Sequence, residues 1–125
     1  MEPAYLIDTN VLIDAQTKNL PSKGLKFLAE IIDKNFIVSF ISYIEFLGYK
    51  EATKANEEFI ALANVISIDG GIINRCISLR KNNSIKLPDA IIAATAIEKN
   101  LVLATRNISD FKDIEGLSLL NLWEV

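Results

Sequence analysis

The chain contains no histidine. That absence removes Ser-His-Asp and Cys-His chemistry, and histidine-ligated zinc with them. Any catalysis must rest on carboxylates, hydroxyls, amides, Lys and Arg, or on a metal held by oxygens. Cys76 is the sole cysteine, so no disulfide can close within the chain, which fits a reducing interior such as the cytoplasm. Its apolar helical setting makes it a small buried hydrophobe. Long apolar runs are also missing. A stretch such as Ala90 to Ala96 falls far short of the roughly 20 residues a membrane helix needs. No basic leader is present, and Met1-Glu2-Pro3 runs almost directly into a first strand, so no signal peptide is expected. A basic surface is lacking too. The formal charge of −3 argues weakly against a nucleic-acid binder that works by positive charge alone.

What is present is a globular composition, 50% hydrophobic and 23% charged, which excludes a disordered chain. With 125 residues and no repeat, low-complexity tract or linker, one domain over residues 1–125 is expected. Short apolar runs alternate with longer helical patterns. The strand candidates are Ala4–Asp8, Phe36–Ser39, Val65–Ile68, Leu101–Thr105 and Leu117–Asn121. Between them the pattern predicts six helices. The first spans Asn10–Ala15. The second is capped by Ser22, with Leu25, Leu28 and Ile32 on one face, and ends near Asn35. A third runs from Ile41 to about Glu51 and is weakened by Gly48. The fourth covers Asn56–Asn64, with Thr53 as its cap. A fifth follows Asp69-Gly70-Gly71 and ends near Asn82-Asn83. The last spans Pro88–Asn100, apolar on nearly all sides and so central. Such alternation implies an α/β fold with a parallel sheet covered on both faces, and at least three crossovers that each hold an extra helix.

Four acids fall at equivalent places in that order. Asp8 ends the first strand, Glu45 follows the second, Asp89 opens the helix before the fourth, and Asp110 follows the fourth. A helix after a parallel strand starts at that strand's C-terminal end, and so does a helix that leads back into the next one. All four acids therefore project to one sheet edge, where open α/β sheets bind ligands. Each has a bland explanation. Asp8 or Thr9 can cap a helix, Asp89 suits a helix dipole, and Asp110 or Asn107 can make an Asx turn. Glu45 is harder to dismiss. Its helical neighbours Ile41, Ser42, Gly48 and Tyr49 form a small, apolar face, on which a carboxylate needs a partner, with Arg106 the structural candidate. Together, carboxylates about 4–5 Å apart repel by roughly 3–4 kcal/mol at an effective dielectric near 20. Hard divalent ions relieve that repulsion, prefer oxygen ligands and activate water. The charge is −3 overall and +1 once these four acids are set aside, so a polyanionic substrate is compatible with the rest of the chain.

In order along the chain, Ile7-Asp8-Thr9-Asn10, Ile41 to Gly48 with Glu45, Leu87-Pro88-Asp89-Ala90, and Thr105-Arg106-Asn107 with Asp110-Phe111 resemble PIN domains. The nearest subgroup is the VapC-type ribonuclease toxins of toxin–antitoxin modules. The resemblance implies a three-layer domain with a five-stranded parallel sheet of order 3-2-1-4-5 flanked by helices. It also implies a Mg²⁺- or Mn²⁺-dependent endoribonuclease that cleaves RNA phosphodiesters by in-line attack of metal-activated water. By motif, Asp8, Asp89 and Asp110 hold the principal metal, and Glu45 holds a second ion or orients the water. Many relatives carry an acid where this chain has Asn107. Two arrangements stay open: Asn107 on the metal or its water, or Asp110 as the fourth ligand. Thr9, Asn10, Thr105 and Asn107 support the carboxylates. Beside the resemblance, two readings stay open for Arg106 near the cleft: a phosphate contact, or ordinary solvated surface charge. The implied partners are an RNA substrate, a cognate antitoxin whose tail covers the acidic groove, and a second copy in a homodimer, with no membrane.

Two other readings compete. Aspartyl-phosphate enzymes also place an Asp after the first strand. However, haloacid-dehalogenase-like proteins need an acid at position 10, where this chain has Asn, and receiver domains need an acidic pair and a lysine that are absent. A non-catalytic PIN-like interaction module is the second alternative, with Asn107 the feature in its favour.

Overall fold

The computed structural model describes residues 2–125. Apolar alternation along three short strands sets the architecture. In β1 (Tyr5–Ile7), β2 (Ile37–Ser39) and β4 (Val102–Ala104), neighbouring buried residues point to opposite faces. Leu6, Ile37 and Leu103 join one core with α5 (Gly70–Asn82), α6 (Leu87–Glu98) and α7 (Ile108–Phe111). Ile7, Val38 and Ala104 join the other with α1 (Thr9–Gln16), α2 (Ser22–Lys34), α3 (Phe40–Leu47) and α4 (Lys54–Ile60). The result is helix layers on both faces of parallel strands. Each crossover from β1 to β2, from β2 to β3 (Asn64–Ile66) and from β3 to β4 carries two helices, as the pattern predicts.

All strand pairs are parallel, but the expected single sheet is divided. Hydrogen-bonded ladders join β1-β4-β5, with β5 at Leu119–Leu120, and separately β2-β3. β1 and β2 lie side by side without a ladder. Strand length is the reason. Alternate residues of a parallel strand turn their polar groups to opposite sides. Ala4 and Asp8 bond towards β4, which leaves only Tyr5 and Ile7 to face β2.

Several boundaries also move. Pro21, not Ser22, holds the cap position of α2, with no side-chain bond, because its fixed φ of −57° already suits that turn. α3 stops at its cap Gly48 instead of running to Glu51. α4 begins at Lys54, because Thr53 and Asn56 cap it reciprocally, and it ends at Ile60 so that Asn64 can open β3. α6 ends in a Schellman turn. Asn100 is left-handed at φ 57°, the Asn100 N–H bonds Ile97 O, and the Leu101 N–H bonds Ala96 O. That turn feeds β4 directly.

The C-terminal segment is pinned behind the sheet. Leu122 is fully buried, and its carbonyl lies against α2 at Gly24. Among the described residues no helix is long and apolar enough to cross a membrane.

Candidate active site

Asp8 is the most buried of the four acids, at 5% exposure. It leaves β1 in extended conformation and caps α1, its Oδ1 accepting the Thr9 N–H at 2.8 Å. The bland reading of Asp8 as a cap is thus correct but incomplete. Oδ2 accepts from the Thr105 hydroxyl at 2.7 Å and from Asn10 Nδ2 at 3.2 Å. Thr105, wholly buried at the end of β4, is itself saturated. It donates to Asp8 and accepts from the Asn107 N–H at 3.1 Å and from Asn10 Nδ2 at 3.4 Å. Asn10 Oδ1 closes the network by accepting the Arg106 N–H at 3.1 Å. The ends of β1 and β4 are therefore stitched through Asp8.

Glu45 departs from expectation. It is exposed rather than turned to the core, and Ser42 takes the buried place on α3. Its partner is a hydroxyl, since Thr9 Oγ1 donates to Glu45 Oε1 at 2.6 Å. Arg106 does not reach it; its guanidinium faces Asp14 at 3.6 Å and lies over Trp123. Asp89 sits half-buried in the first turn of α6, and Asp110 is exposed on α7. Asn107 caps α7 without a side-chain bond, so its amide is free among the described residues.

Electrostatics ties the four acids together. Burial pushes the Asp8 carboxyl above its usual range. The Thr105 and Thr9 bonds oppose that, and the nearby charges of Asp89 and Glu45 add to it. Burial also raises Asp89, reinforced by Asp110 and Glu45 and only partly offset by Lys86. None of the four forms an ion pair among the described residues. Nor do three acidic or thiol groups close into a ready cage there. Both Asp8 oxygens and Glu45 Oε1 are turned to hydroxyl, amide and backbone donors. A hard divalent cation that keeps several waters needs only one or two direct carboxylates, so this set of oxygens is compatible with one.

The raised carboxyls have a measurable consequence. With a folded pKa above the ordinary value near 3.8, the native state binds more protons than the unfolded chain. Their contribution is fully present below that value and is lost as pH rises through the raised one. Thermal melts in chelator should show this loss from about pH 4 towards neutrality. Asp8→Asn should flatten the slope, and equal slopes would contradict the assignment.

Sequence reasoning missed Asp14 and Trp123. Each meets Arg106 only through tertiary packing, so no local signal marks them.

Against known proteins, the profile described as PIN domain matches residues 5–117. Of solved structures, a toxin–antitoxin complex from Klebsiella pneumoniae contains a chain 33% identical, with TM-score 0.79, covering 98% of this chain and all of that one. VapBC2 from Rickettsia felis, bound to a promoter DNA fragment, is 26% identical at TM-score 0.77, covering 94% of this chain and 98% of that one. VapBC-1 from nontypeable Haemophilus influenzae is 26% identical at TM-score 0.75, covering 95% and 98%. No curated protein matches the sequence.

Proposed function

The chain belongs to the PIN domain family, and from that premise we propose that it is a VapC-type endoribonuclease dependent on Mg²⁺ or Mn²⁺. In this reading it is the toxin of a type II toxin–antitoxin pair and works in the cytoplasm. Residues 1–125 form one domain, and the two ladders are halves of one sheet of order 3-2-1-4-5. The observation that carries the reading is the carboxylate edge: a buried Asp8 raised further by two acidic neighbours, with no cation paired to it.

Asp8, Asp89 and Asp110 would hold the principal ion, one or two of them directly and the rest through its waters, and Glu45 a second one, with the Asn107 amide adjoining. When bound, the ion neutralises the carboxylates, polarises a phosphate oxygen and activates water. The chain's own groups do the rest. Thr105, Thr9 and Asn10 hold both Asp8 oxygens at fixed directions, which removes the cost of orienting them during reaction. Thr9 fixes Glu45 so that its second oxygen can orient the attacking water. Arg106 contacts a substrate phosphate.

The relatives solved as toxin–antitoxin complexes support a cognate antitoxin as partner. A homodimer follows from the family alone.

The test is total cellular RNA incubated with the purified chain in Mn²⁺, in Mg²⁺ and in EDTA, with cut ends mapped. Discrete fragments in metal alone are expected. Intact RNA in every lane, from protein free of any co-purified inhibitor, would favour the interaction module instead.

A further inference from the structure

Arg106 follows Thr105 at the end of β4 and is tied to the acidic edge through one side chain. Its N–H donates to Asn10, and Asn10 donates to Asp8. Its guanidinium carbon lies 5.0 Å from the centre of the Trp123 ring, within cation–π range. On another side, Nη1 stands 3.6 Å from Asp14 Oδ2. An arginine serving Asp14 alone would close its fork on the carboxylate as a bidentate pair. Here the fork stays open. Among the described residues the guanidinium makes no hydrogen bond, and the side chain is 57% exposed. A planar cation is thus fixed in place by a ring and a carboxylate while its donors remain unspent.

The floor under it is firm. The Trp123 backbone N–H donates to Asn121 Oδ1 at 2.9 Å, and the preceding Leu122 is fully buried. An ordinary solvated arginine needs no such support.

We propose that Trp123 and Asp14 are positioning residues that hold Arg106 as an open clamp for an RNA phosphodiester beside the carboxylate edge. The guanidinium fork matches two phosphate oxygens in a way a lysine does not. The identity of the ligand rests on the nuclease reading above.

Binding can be read without cleavage. A labelled single-stranded RNA oligomer is titrated in chelator at low salt and followed by anisotropy. Arg106→Gln should weaken binding about tenfold and lower the salt slope by about one. Trp123→Leu should lose most of the same affinity although no charge has changed, and Trp123→Phe, which keeps an aromatic floor, should restore it. Trp123 is the only tryptophan, so its emission should change when RNA binds the unaltered protein and should not in Arg106→Gln. Thermal melts confirm that each variant is folded. An unchanged salt slope in Arg106→Gln, or wild-type affinity in Trp123→Leu, would overturn the clamp. Failure of the nuclease reading would look different: the clamp signals would persist while no RNA is cut in Mn²⁺.

Discussion

Asp8→Asn is expected to reduce metal-dependent RNA cleavage by about a thousandfold or more, roughly 4 kcal/mol at the transition state. The substitution keeps nearly the same shape. Asparagine can still accept the Thr9 N–H at the cap of α1. What it loses is the negative charge that three donors now aim. In EDTA two effects oppose each other. Burial and the charges of Asp89 and Glu45 disfavour an ionised group at this position, but an amide nitrogen in place of Oδ2 faces the Thr105 hydroxyl and Asn10 Nδ2, both donors. The discriminating readout is the metal: the variant should lose most of the rise in melting temperature that Mn²⁺ gives wild type. Loss of cleavage together with loss of that rise identifies a functional carboxylate. A cap residue with no further role would lower stability and leave cleavage alone. Full activity in Asp8→Asn would sink the assignment.

Gly24→Ala should cost about 2–3 kcal/mol of stability, read as a shift in denaturant midpoint at constant slope. The direction is not obvious from sequence. Gly24 lies inside α2, where alanine ordinarily gains about 1 kcal/mol. Here a Cβ would press on the Leu122 carbonyl oxygen, with the carbonyl carbon at 3.1 Å and Leu20 Cδ1 at 3.4 Å. A backbone carbonyl cannot swing aside as a side chain can. Either α2 shifts or the C-terminal segment lifts, and Leu122 leaves its buried place. Overpacking therefore outweighs helix propensity. A neutral or stabilising result would mean that the segment yields freely.

The placement of the four acids was legible because it needs only element order, which survives errors of several residues at each boundary. Asp8 and Asp89 sit where element order put them, at the end of β1 and in the first turn of α6, and Asp110 follows β4 as expected but on α7, a short helix the pattern did not predict. The surroundings of Glu45 were not legible. Its neighbours on α3 are apolar, yet a short helix leaves part of an apolar surface in solvent, as Ile44 at 60% exposure shows. The Thr53 cap was readable as the one hydroxyl ahead of the helix, although its reciprocal pairing with Asn56 was not, and the Pro21 boundary was masked by the better capping residue beside it. The partnership of Arg106 with Asp14 and Trp123 joins three distant parts of the chain, and no local pattern encodes it.

The missing ladder between β1 and β2 has a mechanical meaning. Asp8 rides on the plate formed by β1, β4 and β5, and Glu45 follows the plate formed by β2 and β3. Each plate is stiffened by its own backbone bonds. The joint between them is held by packed side chains and, at the acidic edge, by the single hydroxyl bridge from Thr9 to Glu45. A charge placed between Asp8 and Glu45 therefore acts across that joint, against packed side chains and one bridge, and not against a continuous backbone ladder.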